Sequence, residues 1–168
     1  MRRIAGALAA LCLTTGIAAA ADPTGEWLVA DKVAKIKIEN CKGAYWGVIS
    51  WEKEPGVDKE NPDAAKRTRP TLGMPIILGM KPSDPNKWEG QIYNAENGKT
   101  YTASISLDNP DLLNVRGCVM GFLCGGEKWT RVKAETTGRA APPPGSPAPK
   151  TTAAAAPAQK SVCSAVGT

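Results

Sequence analysis

From Gly25 to Val132 the chain keeps alternating apolar and polar residues in short runs. The run VAKIKIE (Val33–Glu39) is the clearest: Ala34, Ile36 and Ile38 share one face, and Lys35, Lys37 and Glu39 the other. A period of two is what a half-buried strand requires, because successive side chains point to opposite faces. Further strand-like segments are Glu26–Ala30, Ala44–Glu52, Met74–Met80, Lys87–Asn94, Lys99–Leu107, Leu112–Cys118 and Leu123–Val132, making eight in all. The links are mostly tight, as at Cys41-Lys42-Gly43, Ala95-Glu96-Asn97-Gly98 and Asp108-Asn109-Pro110-Asp111, and no segment has a helical period. Short antiparallel neighbours imply an all-β meander. Eight strands close into an up-and-down antiparallel barrel, which removes the exposed edges of an open sheet. The interior of such a barrel is filled by side chains or holds one small ligand. A two-sheet sandwich is the alternative.

The ends of the chain lie outside this pattern. Residues 1–21 combine Arg2 and Arg3, an apolar stretch and an A-x-A site with Ala19 and Ala21 before Asp22, the features of a cleaved secretory signal peptide rather than a membrane span. Cys12 is a poor lipid-anchored cysteine, because the bulky Leu11 precedes it and the apolar run continues past it. Residues 134–168 are rich in Pro, Ala and Thr and contain no large apolar run, so a disordered tail is expected, acting as a spacer or simply solvated. This leaves residues 22–133 as one domain with a single core, expected in the periplasm or outside the cell.

The net charge of +5 comes mostly from these ends. The domain is close to neutral, which argues against a nucleic-acid partner. There is no histidine, so the commonest general base and zinc ligand are missing. The cysteines beyond the leader, Cys41, Cys118, Cys124 and Cys163, lack metal-site spacing, and disulfides are the expectation for an exported chain. A turn on Met120-Gly121-Phe122 pairs Val119 with Leu123 and sets Cys118 opposite Cys124 with both side chains on one face, so a Cys118–Cys124 bridge is expected. Cys163 has three options: Cys41, another molecule or none.

Gly25-Glu26-Trp27 opens the first strand, and Trp129-Thr130-Arg131 lies on the last. In a closed meander these strands are neighbours, so Trp27 plugs one end of the barrel and Arg131 lies across its indole in a cation–π contact. A G-x-W start with an arginine on the final strand resembles the lipocalin and calycin barrels. The blocks GEWLV, GVISWEKEP, NPDAAKRTRPTLGMPIILGM, WEGQIYNAENGKTYTASISL and LNVRGCVMGFLCGGEKWTR together resemble the bacterial exported family known as domain of unknown function 2147, from about Gly25 to Arg131. That resemblance implies a small secreted or periplasmic β domain and assigns neither reaction nor cofactor. It also implies a second cysteine a few residues after Cys41. Trp46 stands in that region here, which leaves Cys41 without a local partner.

The stretch Glu54–Leu72 is too long for a hairpin link, and loops of this length are usually functional or disordered. Asn61-Pro62-Asp63 starts a turn or short helix, with Asn61 a candidate cap. Arg67 and Arg69 are two apart, so in an extended segment they point to one side, where two guanidiniums suit a carboxylate or phosphate head group. Pairing with Asp58, Glu60 or Asp63, pinning the loop to the barrel, is the competing role. Trp51, Trp88, Tyr93 and Tyr101, with Tyr45 and Trp46, are candidates to line a pocket, although such aromatics more often form core.

Catalysis has little support. Glu52 and Glu54 have no evident partner across a cleft, and no Ser/His/Asp or Cys/His set or phosphate loop is present. The sequence thus points to a non-enzymatic barrel without cofactor, metal or transmembrane span. It holds a small apolar or amphiphilic ligand with an anionic head. The alternative is an envelope interaction module with a filled barrel.

Overall fold

The computed structural model describes residues 21–133 and 161–167. Residues 1–20 of the expected signal segment (1–21), and residues 134–160 and 168 of the expected tail, lie outside the described residues.

Eight strands form a closed barrel in sequence order: β1 Gly25–Leu28, β2 Ala34–Cys41, β3 Ala44–Glu52, β4 Pro75–Asp84, β5 Lys87–Asn94, β6 Lys99–Asn109, β7 Leu112–Val119 and β8 Leu123–Arg131. Every neighbouring pair is antiparallel, and β1 closes on β8 through Trp27↔Arg131 and Leu28↔Thr130. Alternation sorts the faces as the sequence implies: Ile36 and Ile38 on β2, Ala103 and Ile105 on β6, Leu113 and Val115 on β7 and Trp129 on β8 are all buried in one core with Trp27, Ile77 and Met80. The β2–β3 turn is a two-residue link in which Lys42 (φ 54°) and Gly43 (φ 88°) both take the left-handed conformation, the hairpin geometry that matches strand twist.

The strands differ from the expected boundaries mainly at β4. Lys81-Pro82-Ser83-Asp84 looks like a turn in sequence, yet β4 runs through it with register shifts, pairing Pro82 with Trp88 and Asp84 with Lys87. Irregular pairing is where a proline without an N–H fits a sheet.

Two disulfides are formed among the described residues. Cys118 faces Cys124 in the β7–β8 register and is bonded to it. Cys41 is bonded to Cys163, 122 positions away. This corrects the expectation of a tail disordered to its end. Residues 161–167 carry a one-turn helix, α1 Val162–Ala165, with Val162 fully buried against the barrel. The physical reason is local: Glu39 accepts hydrogen bonds from Ser161 Oγ (3.0 Å) and Val162 N (2.9 Å), and the disulfide adds a covalent tie. Composition alone does not reveal a docking point made of one apolar side chain and one cysteine. Disulfides are compatible with an extracellular or periplasmic setting. Among the described residues no helix is long and apolar enough to cross a membrane.

Candidate functional site

In a meander, alternate links share an end of the barrel. The β2–β3, β4–β5 and β6–β7 turns therefore lie at the end where β1 begins and β8 finishes. That end is plugged. Trp27 is fully buried, its indole N–H donates to the Pro23 carbonyl (2.9 Å), and the Arg131 guanidinium lies 4.1 Å from its ring centroid. Arg131 also donates to the carbonyls of Pro110 (2.6 Å), Asp22 (3.0 Å) and Thr24. Gly25 is required beside it: at φ 121° a Cβ would sit 2.6 Å from Arg131 Nη1.

The other end carries the β1–β2, β3–β4, β5–β6 and β7–β8 links, and there a cavity open to solvent leads down to the core side chains. A cavity of about 520 Å³ is lined by Ile36, Ile49, Ile92, Tyr93, Tyr101 and Trp129 among others. Two inward positions of β7 and β8, Gly117 and Gly125, have no side chain to fill it; a Cβ at Gly125 would meet nothing within 4 Å. The charged residues of the lining are Asp31, Glu96 and Glu127, with no lysine or arginine among them. Glu127 accepts a hydrogen bond from the Trp129 indole N–H, and Asp31 from the Val33 backbone N–H (3.3 Å).

The long β3–β4 loop packs beside this cavity and is built on itself. Its two arms pair through the Val57↔Pro70 bridge and through Asp58 N–H to Arg69 O (3.1 Å) and Thr71 N–H to Gly56 O (3.1 Å). A short 3-10 turn, Ala64–Lys66, is capped by Asp63, whose side chain accepts from Ala65 N. Asn61, expected as the cap, is instead buried in a polar cluster centred on Asp58. There Asp58 is fully buried and accepts from the Tyr93 hydroxyl (2.7 Å), Asn61 Nδ2 (2.7 Å) and Arg69 Nε (3.0 Å), while Arg69 Nη2 lies 2.8 Å away. Burial pushes the Asp58 carboxyl up, but hydrogen bonds from Tyr93, Asn61 and Arg69 outweigh it and leave the group below its ordinary value. The same burial, and then the Asp58 carboxylate, push the Tyr93 phenol up. The loop also touches the β5–β6 turn: a Cβ at Gly98 (φ 66°) would fall 1.8 Å from the Glu60 carbonyl oxygen.

The residues singled out from sequence are therefore divided. Tyr93 and Tyr101 line the cavity. Arg69 pairs with Asp58 and lies 6.0 Å from the Tyr93 ring centroid, and Arg67 donates to the Asn61 carbonyl (2.8 Å). Neither arginine is among the cavity-lining residues; Arg69 makes the pairing with an acid weighed for it as the competing role, whereas Arg67 meets a backbone carbonyl of the loop and no acid. Trp88 is core, edge-on to Tyr45 with centroids 5.5 Å apart. Trp51 is on the outer surface, 40% exposed, with Lys35 Nζ 5.5 Å from its ring centroid. The reading from sequence missed the Asp58–Asn61 pair and the aliphatic lining. It also missed Gly117 and Gly125, although glycines at inward positions of facing strands are a legible sign of empty space. Among the described residues no group of three His, Cys, Asp or Glu side chains is placed to hold a metal ion.

A family model described as "Uncharacterized protein conserved in bacteria (DUF2147)" matches residues 25–131. No curated protein matches the chain. A solved structure, protein HP1028 from Helicobacter pylori, described as belonging to the lipocalin family, is similar with a TM-score of 0.63 and 17% identity. The match covers 68% of this chain and 85% of that one. At that identity the likeness concerns the fold, an eight-stranded barrel of lipocalin type.

Proposed function

The chain belongs to the DUF2147 family, and from that premise we propose that its barrel is a binding protein, not an enzyme, for one small and mainly apolar ligand. The cavity of about 520 Å³ is the observation that carries this reading. It falls in the size range of small-molecule sites, which are largely apolar with a few polar groups to orient the ligand. Eight-stranded barrels either fill their interior with side chains or hold one small ligand, and the open space at this end favours the second. An interaction module with a filled barrel fits less well with such a cavity.

The expected anionic head group loses its basis, because Arg67 and Arg69 are engaged by Asn61 and Asp58. The charges on the lining are carboxylates: Asp31, Glu96 and Glu127. A neutral or cationic head suits them better. Nile red, a neutral apolar dye, tests the reading directly. Its emission should rise and shift to shorter wavelength with added protein, and an alkylamine should displace it at lower concentration than a carboxylate of equal chain length. An unchanged emission spectrum rejects the binding role. Equal displacement by both competitors rejects the head-group preference alone.

A further inference from the structure

The β7–β8 hairpin projects from the open end and is apolar where it meets solvent. Val119, Met120, Phe122 and Leu123 are 46%, 83%, 71% and 62% exposed. The ten-residue run Gly117–Gly126, GCVMGFLCGG, contains no charged side chain. The lack of charge extends to both faces of the hairpin. Gly117, Val119, Leu123 and Gly125 face the cavity, and the opposite parity holds the Cys118–Cys124 disulfide. A hairpin adapted to water would carry polar residues on its outer face. The other links at this end do so, with Asp31 and Lys32 on β1–β2 and Glu96 and Asn97 on β5–β6.

We propose that this hairpin tip, Val119–Leu123, inserts into the surface of a lipid bilayer and sets the mouth of the cavity against it. The area decides between occupants. The four side chains expose on the order of 500 Å², short of the roughly 800 Å² per partner that a stable protein interface buries. A convex tip makes a second copy or a folded partner less suitable still, whereas a bilayer needs no matching groove and accepts apolar groups to a depth of about 5–10 Å. Residues 134–160 of the chain offer no large apolar side chain to cover it. The β7–β8 ladder pairs through Val119↔Leu123, so strand backbone groups are satisfied up to the turn and only the turn itself must stay near the head groups. Because Val119 and Leu123 also line the cavity, insertion makes the apolar lining continuous with the lipid phase.

The proposal stands whether or not the cavity holds the ligand class above, since Met120 and Phe122 are not among the lining residues. The test is co-sedimentation of the full exported chain, disulfides intact, with vesicles of phosphatidylethanolamine and phosphatidylglycerol. The wild type should sediment with vesicles, and Met120→Ser with Phe122→Ser should lower its partition roughly tenfold for each side chain. The melting temperature and Nile red response should be unchanged, both substitutions being at exposed sites. Wild type that remains in the supernatant overturns the proposal, as does a double variant that sediments equally well. A wild-type dimer that the double variant converts to monomer also overturns it, in favour of a second copy as occupant.

Discussion

The Tyr93 hydroxyl donates to Asp58 at 2.7 Å across 35 positions of sequence, tying the long loop to the strand that lines the cavity. Asn61 and Arg69 complete the set of donors around the same carboxylate. Asp58→Ala should therefore destabilise the protein by about 3 kcal/mol, because it removes the acceptor shared by the buried Tyr93 hydroxyl and Asn61 amide and takes the carboxylate partner from Arg69. Tyr93→Phe leaves Asp58 two partners and should cost about 1–2 kcal/mol. Urea unfolding measures both, and the reverse order would mean that Asp58 is not the centre of the cluster.

The same cluster gives a pH dependence with a defined sign. Asp58 has its carboxyl held down in the fold, so its contribution to stability is complete above the unfolded value of about 4 and is lost as pH falls through the folded value. Tyr93 is raised, so its contribution is present below about pH 10 and is lost as pH rises. Glu39, also lowered despite burial through Lys37, Ser161 and Val162, adds to the acid limb. Comparison with Asp58→Asn separates the two carboxylates. Stability of that variant should fall less steeply below about pH 4 than that of the wild type, and parallel acid limbs would refute the assignment to Asp58.

Gly98 is the contact between the β5–β6 turn and the loop. A methyl group there meets the Glu60 carbonyl, a backbone atom that cannot move aside without the loop, and the left-handed φ of 66° adds strain. Gly98→Ala should lift the loop from the turn while leaving the barrel closed. Limited proteolysis should then cut at Lys59, Lys66 or Arg67 much faster than in the wild type, with the near-ultraviolet signal of the core tryptophans retained. Cleavage at the wild-type rate would show that the loop does not depend on this contact.

The barrel was legible because period-two alternation and turn residues are local signals, and because Gly25, Trp27 and Arg131 report both ends of the closed sheet. One hairpin register, that of Met120-Gly121-Phe122, could be placed from turn residues alone. The loop was not legible in the same way. Spacing put Arg67 and Arg69 on one side, but their partners depend on where Asp58 goes, and a fully buried carboxylate leaves no periodic trace in sequence. One of its hydrogen bonds reaches Tyr93, 35 positions along the chain on β5. Likewise Cys163 pairs with Cys41 through a contact that depends on one buried valine in a segment whose composition reads as unstructured. The cavity was visible only in part: Tyr93 and Tyr101 carry the signal of aromatic lining, while the space itself comes from what Gly117 and Gly125 lack.

The most direct measurement is native mass spectrometry of the protein purified from its own host, beside Gly125→Phe purified in the same way. Gly125 lines the cavity, its Cβ would meet nothing within 4 Å, and its φ lies outside the left-handed region, so the phenyl ring fills the space without backbone strain. The expected result is a wild-type species heavier than the polypeptide by one small molecule, a mass lost on denaturation and absent from the folded Gly125→Phe protein. A wild type at the mass of the bare chain, or an adduct retained in full by Gly125→Phe, would contradict a ligand held in this cavity.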